Sequence, residues 1–261
     1  MKKTLQILNG IALVITIFIN YVSNAGILNG KTIGEVSDGL QTLFTPAGYA
    51  FSIWGFIYLL LIGFVFYQRK SLFKNNHQAD ELVLKIGWWF IISCIANSTW
   101  VIVWIYGATG ISCLFILLLL FSLMQIIFRC NFNLENKSLQ QSLFTSSPFI
   151  YYAGWVTVAS IANVSTYLVK INWDGFGISS DTWAIIMIAI AVLINIIAVY
   201  KRNLWEFTIV GAWALIAIGV RNNSSAENVR NIAYLGAVLL FFMAMYYAYK
   251  MFQKQNVNAK T

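Results

Sequence analysis

Charge is what this chain has least of. Among 261 residues there are 17 Lys and Arg, 9 Asp and Glu and a single His, so 10% of the residues are charged. A soluble domain carries about a quarter. With 59% hydrophobic residues and a mean hydropathy of +0.72, the composition excludes a soluble enzyme, a disordered chain and a nucleic-acid module. One His leaves no pair to ligate a membrane haem. Cys94, Cys113 and Cys130 show no CxxC spacing, which argues against metal or dithiol chemistry. No paired carboxylates, nucleophile elbow or Gly-rich phosphate loop is present, so no catalytic residues are assigned and the chain is read as not an enzyme.

What is present is a series of charge-free apolar runs. A membrane helix takes about 20 apolar residues. Eight runs qualify: 5–23, 47–66, 86–106, 111–128, 143–169, 183–200, 204–220 and 232–249. They are continuously apolar rather than alternating, which argues against a β-barrel. The fold class expected is an all-α membrane protein, a polytopic helical bundle of about eight transmembrane helices. Pro148 is expected to open the fifth helix, with Ser146 or Ser147 as its cap. Glu206 is the one acidic or basic residue inside a run. Its closeness to Lys201 and Arg202 predicts an interfacial carboxylate that snorkels to the membrane edge.

The basic residues set an orientation. With the amino terminus inside, the inner segments hold Lys2, Lys3, Arg69, Lys70, Lys74, Lys85, Arg129, Lys137, Lys201, Arg202, Lys250, Lys254 and Lys260; the outer ones hold Lys31, Lys170, Arg221 and Arg230. This asymmetry predicts both termini in the cytoplasm, and a bacterial inner membrane as the location. The net charge of +8 is thus a topology signal, and no nucleic-acid partner is expected. The first run also has the basic and apolar regions of a signal peptide, with Ser23 and Ala25 as a possible cleavage site. Its length favours a retained helix.

Two parts differ in character. Residues 1–172 are rich in Trp, Tyr and Asn, whereas 173–261 read as plainer aliphatic spans; Trp173-Asp174-Gly175-Phe176-Gly177 marks the change. A five-helix bundle over 1–172 and a three-helix segment over 173–261 are expected. Trp89, Ser93 and Asn97 in the third run, and Trp155, Ala159 and Asn163 in the fifth, each recur at i, i+4 and i+8 along one helix face. Of the 10 tryptophans, Trp88, Trp89, Trp104, Trp173, Trp183 and Trp205 fall where interface anchors sit. Trp54, Trp100, Trp155 and Trp213 lie deeper, where an indole N–H needs an acceptor. Asn in a span either crosslinks helices or lines an aromatic pocket suited to a flat ligand.

The second run carries the most specific pattern: Pro46, Gly48, Tyr49, Phe51, Trp54 and Tyr58. It resembles the TspO/translocator protein family, the tryptophan-rich sensory proteins, which share a Pro-Gly-aromatic-x-Phe start and a following Trp-x-x-x-Tyr. Ala96-Asn97-Ser98-Thr99-Trp100 is similar to the family's Asn-x-x-Trp element. Pro148-Phe149, Gly154-Trp155, Ala159 and Asn163 resemble its fifth-helix series. The resemblance covers about residues 5–172. The first loop, 24–45, lacks the Trp and prolines usual in the family.

The resemblance implies a five-helix bundle that binds a tetrapyrrole such as protoporphyrin, or a sterol-like lipid, as a ligand with no cofactor required. Carried over residue by residue, it implies a ligand-binding wall of Trp54, Tyr58, Asn97, Trp100, Trp155, Ala159 and Asn163. Val164, Tyr167 and Lys170 fit its sterol pattern, as does Val65-x-Tyr67-x-Arg69 elsewhere in the chain, a sign of how readily the pattern arises. Membrane lipid, a hydrophobic small molecule and a homodimer are the expected partners. A facilitated transporter of an uncharged or amphipathic solute, and a structural or regulatory membrane subunit, remain rival readings.

Overall fold

A computed structural model describes residues 2–40, 42–73, 77–134 and 139–258. Lys74, Lys137 and Lys260, assigned to inner segments, lie outside the described residues. Among the described residues all regular structure is helical: α1 (Lys2–Asn24), α2 (Ile33–Gly39), a 3-10 turn (Gly48–Ser52), α3 (Ile53–Phe73), α4 (His77–Ile86), α5 (Trp89–Ile105), α6 (Thr109–Arg129), α7 (Leu139–Thr145), α8 (Ser147–Lys170), a 3-10 turn (Gly175–Gly177), α9 (Ser180–Arg202), α10 (Trp205–Arg221) and α11 (Glu227–Asn258).

Each of the eight apolar runs becomes a helix. Five are long and apolar enough to cross a membrane alone, and a sixth if α4 and α5, bent by 54°, count as one span. The other two are interior helices. α8 is rich in Ser, Thr and Asn and faces protein along most of its length, while α10 has 17 residues, most of them buried. A helix shielded from lipid has less need of an apolar surface.

Five helices close a ring: α1 packs on α3, α3 on α8, α8 on α6, α6 on α5 and α5 on α1. The other three, α9, α10 and α11, pack on one another, and α10 docks on α8. Close approach at that seam rests on Gly154, where a Cβ would lie 2.9 Å from the Phe207 carbonyl oxygen.

Local chemistry explains the helix ends. Pro148 sits in the first turn of α8, where its missing N–H costs little. Ser146 occupies the N-cap position, but its hydroxyl donates to the Ser142 carbonyl instead of capping. The first loop folds α2 through a capping box: Thr32 Oγ1 accepts from Glu35 N–H, and the Glu35 carboxylate accepts from Thr32 N–H. Ile33 and Val36 of α2 are buried.

Burial departs from expectation at two places. Glu206 does not snorkel. It is 1% exposed, and its carboxylate accepts hydrogen bonds from Asn133 Nδ2 (2.7 Å) and Ser147 Oγ (3.2 Å). Asn203 ends α9 in the left-handed conformation, φ 53°; before this turn Arg202 stacks over Phe128, and after it Glu206 faces inward. Two tryptophans also turn faces that their depth did not predict. Trp104, at the end of α5 where an anchor would sit, is turned inward and donates to the Ile33 carbonyl. Trp213, midway along α10, is turned outward, 36% exposed, with its indole N–H on the Ala50 carbonyl.

Candidate functional site

The centre of the ring is built from aromatic rings. Pro46 and the 3-10 turn lead into α3, which presents Trp54 and, one turn later, Tyr58. Trp54 is the hub. Its ring centroid lies 5.7 Å from Tyr58, 6.0 Å from Trp100 on α5, and 5.5 Å and 6.4 Å from Tyr152 and Trp155 on α8. Phe51 meets Trp155 edge-on at 5.8 Å, and Trp104 stacks on Trp100 at 6.0 Å. Offset and edge-to-face geometries of this kind add to the apolar burial.

Two asparagines tie the rings to the helices around them. Asn97 Oδ1 accepts from Asn20 Nδ2 of α1 (2.8 Å) and from the Tyr58 hydroxyl (3.4 Å). Asn163 Oδ1 accepts from Trp100 Nε1 (2.8 Å), and its amide nitrogen donates to Ser112 Oγ of α6 (2.8 Å). Each side chain crosslinks helices, as one of the two readings of a membrane asparagine expects, and also touches the aromatic cluster. Three buried donors at the same centre have no acceptor among the described residues: Trp54 Nε1, Trp155 Nε1 and Asn97 Nδ2. A buried donor left unpaired costs about 1–3 kcal/mol.

Of the seven wall residues, Trp54, Tyr58, Trp100 and Trp155 come together in the aromatic cluster, and Asn97 and Asn163 flank it. Ala159 is half-buried beside this core. The sterol-pattern residues lie elsewhere. Tyr167 packs against Gly110, and Lys170 Nζ donates to the Gly107 carbonyl, so both close the end of α8 onto the α5–α6 turn.

The sequence reading missed Tyr152, and it named Phe51 in the pattern of the second run without placing it in the wall. It also missed the α1 face formed by Gln6, Asn9, Thr16, Asn20 and Ser23, all buried. Their spacing of three, seven, four and three residues keeps them on one helix face, a signal that was available in the sequence.

The start of the second apolar run is held from outside the ring. Ala47 N–H donates to the Ala217 carbonyl of α10 (3.0 Å), Asn222 Nδ2 to the Leu43 carbonyl (2.9 Å), and Arg221 pairs with Asp38 (3.0 Å). Comparison with curated proteins gives no match, nor does comparison with solved structures. The family model described as TSPO-like protein matches residues 6–246, and so takes in α9, α10 and most of α11 as well as the ring. The chain therefore belongs to the TSPO-like protein family and, with its apolar helices, is an integral membrane protein of that kind.

Proposed function

We propose that the ring binds a flat hydrophobic ligand, a tetrapyrrole such as protoporphyrin or a sterol-like lipid, and that the protein acts as its membrane receptor or sensor. In this reading all eight helices span a bacterial inner membrane with both termini in the cytoplasm. The observation that carries it is the pair of indole N–H groups, Trp54 Nε1 and Trp155 Nε1, buried without acceptors among the described residues at the centre of an aromatic cluster. A planar ligand would stack on these rings and supply the missing acceptors from its polar edge. Because the rings fill the centre, entry requires them to move apart.

Titration of the purified protein with protoporphyrin, read by Trp quenching, tests the proposal. Trp54→Phe keeps a ring and removes one donor, and is expected to weaken binding about fivefold. Trp54→Ala, Trp100→Ala, Trp155→Ala together should abolish it. Wild-type affinity in the triple variant would overturn the assignment.

A further inference from the structure

A second site stands at the seam between the two helix groups. A cavity of about 540 Å³ opens among the loop at 42–44, the ends of α8 and α10, the Gly175–Gly177 turn and the start of α9. That volume lies within the range of small-molecule sites. The ring alone could not form it, because α9 and α10 supply much of its wall.

The Trp173-Asp174-Gly175-Phe176-Gly177 segment makes its rim. Trp183 Nε1 donates to the Gly175 carbonyl at 2.8 Å, which fixes the indole against the turn. Trp173 and Trp183 lie 5.1 Å apart, tilted by 54°. Gly175 has φ +67°, and a Cβ there would sit 3.0 Å from the Trp183 indole nitrogen, so this position needs glycine. Phe176 holds a left-handed conformation, φ 55°, and is 78% exposed. Backbone of this kind is sparsely populated for bulky residues and clusters at ligand-binding sites.

The charges lining the cavity are unequal. Arg221 is already paired with Asp38 at 3.0 Å. Asp174 accepts one hydrogen bond, from Phe176 N–H at 3.1 Å, and has no cationic partner among the described residues. Two helix C-termini, of α8 and α10, end around the cavity against one N-terminus, that of α9, whose first turn carries Asp181. Helix C-termini favour cations.

We propose that this cavity binds an amphipathic organic cation, with its ammonium against Asp174 and the indoles of Trp173 and Trp183, and its apolar body between Leu168, Met187 and Phe44. Aromatic faces beside a carboxylate suit an ammonium that has lost part of its hydration. The site is separate from the aromatic centre of the ring and stands or falls independently of it.

The test uses the full-length protein in phosphatidylcholine nanodiscs, with empty nanodiscs subtracted. Equilibrium dialysis compares decyltrimethylammonium, decyl sulfate and decanol, which share one apolar body and differ in head charge. Saturable binding of the cation alone is expected. Asp174→Asn, which keeps the acceptor for Phe176 N–H, should weaken it about tenfold. Trp173→Leu should also weaken it, while Trp54→Phe should leave it unchanged. Equal binding of decyl sulfate or decanol, no saturable binding of the cation, or an unchanged affinity in Asp174→Asn would each overturn the proposal.

Discussion

The five-helix ring and the three helices after it are held together by different means. Ring helices meet through large or polar side chains. Trp54 touches four other rings, and hydrogen bonds cross between helices at Asn20–Asn97, Trp100–Asn163, Asn9–Gln68 and Thr16–Cys94. The other three meet mostly through small ones, with one side-chain bond from Thr208 Oγ1 of α10 to the Asn195 carbonyl of α9 at 3.4 Å. Gly211 lies against Asn195, Gly219 against Tyr234 and Gly236 against Leu215 and Val192. Ala184, Ala191, Ala212, Ala214, Ala217, Ala233 and Ala237 are buried among them. Close backbone approach and dispersion suffice to join helices in lipid, and they make a brace. A ring with directional polar bonds can also orient a ligand. The brace reaches the ring's cover through Ala217, Arg221 and Asn222, where the first loop has neither the Trp nor the prolines usual in its family.

The sharpest way to break this comparison is at the seam. Gly154→Val would set side-chain atoms against the Phe207 backbone, where even a Cβ lies 2.9 Å from the carbonyl oxygen and 3.0 Å from Cα. Backbone cannot yield as a flexible side chain can. A loss of at least about 1–3 kcal/mol is expected, read as a fall in thermal midpoint by fluorescence-detected size exclusion. Gly55→Ala in α3, where a Cβ meets nothing within 4 Å, should gain up to about 1 kcal/mol from helix propensity. Equal destabilisation by the two would mean that close approach is not what joins brace to ring.

A smaller effect separates the two kinds of asparagine. Asn163→Ala removes a crosslink and leaves Trp100 Nε1 buried without its acceptor, an expected cost of about 2 kcal/mol. The Asn195 amide nitrogen donates to Ala191 of its own helix, so Asn195→Ala should cost less than about 1 kcal/mol. Urea unfolding in bicelles reads the difference. Similar losses at both positions would mean that the asparagine side chains join helices as strongly in the brace as in the ring.

How far these features were legible in the sequence depends on the range of the contact. Trp54 and Tyr58 lie one turn apart in a recognisable pattern, and the aromatic centre could be read from that pattern together with its counterparts on α5 and α8. The partner of Asn97 could not, because Asn20 stands 77 residues away and no spacing rule links the two helices. Glu206 misled for the opposite reason. Arg202 is four residues earlier, the usual distance for a helical ion pair, but the left-handed turn at Asn203 separates α9 from α10. Trp104 and Trp213 were misplaced because depth along a helix does not say which face is turned inward. α10 turns Trp213 outward, with its indole against the Ala50 carbonyl at 3.5 Å, and α2 covers Trp104.

The smallest expected effect concerns the cover itself, which has local ties of its own besides those to the brace at Ala217, Arg221 and Asn222. One local tie is the capping box of α2. Glu35 Oε2 accepts from Thr32 N–H at 2.7 Å, and Thr32 Oγ1 accepts from Glu35 N–H at 3.1 Å. The Thr32 backbone N–H, and after it the Thr32 side chain, hold the Glu35 carboxyl below its ordinary value of 4.5. Because the folded value is the lower one, the cap contributes fully above the unfolded value and loses its contribution as pH falls through the folded value. Hydrogen exchange of α2 amides, corrected for intrinsic rates, should therefore rise as the pH falls below the ordinary carboxyl value of 4.5. Glu35→Gln, which keeps an acceptor but cannot titrate, should flatten that rise. Exchange in α10 should not change with either. If α10 loosens together with α2, the cover and the brace form one cooperative unit, and the division between a ring with its own cover and an external brace has to be redrawn.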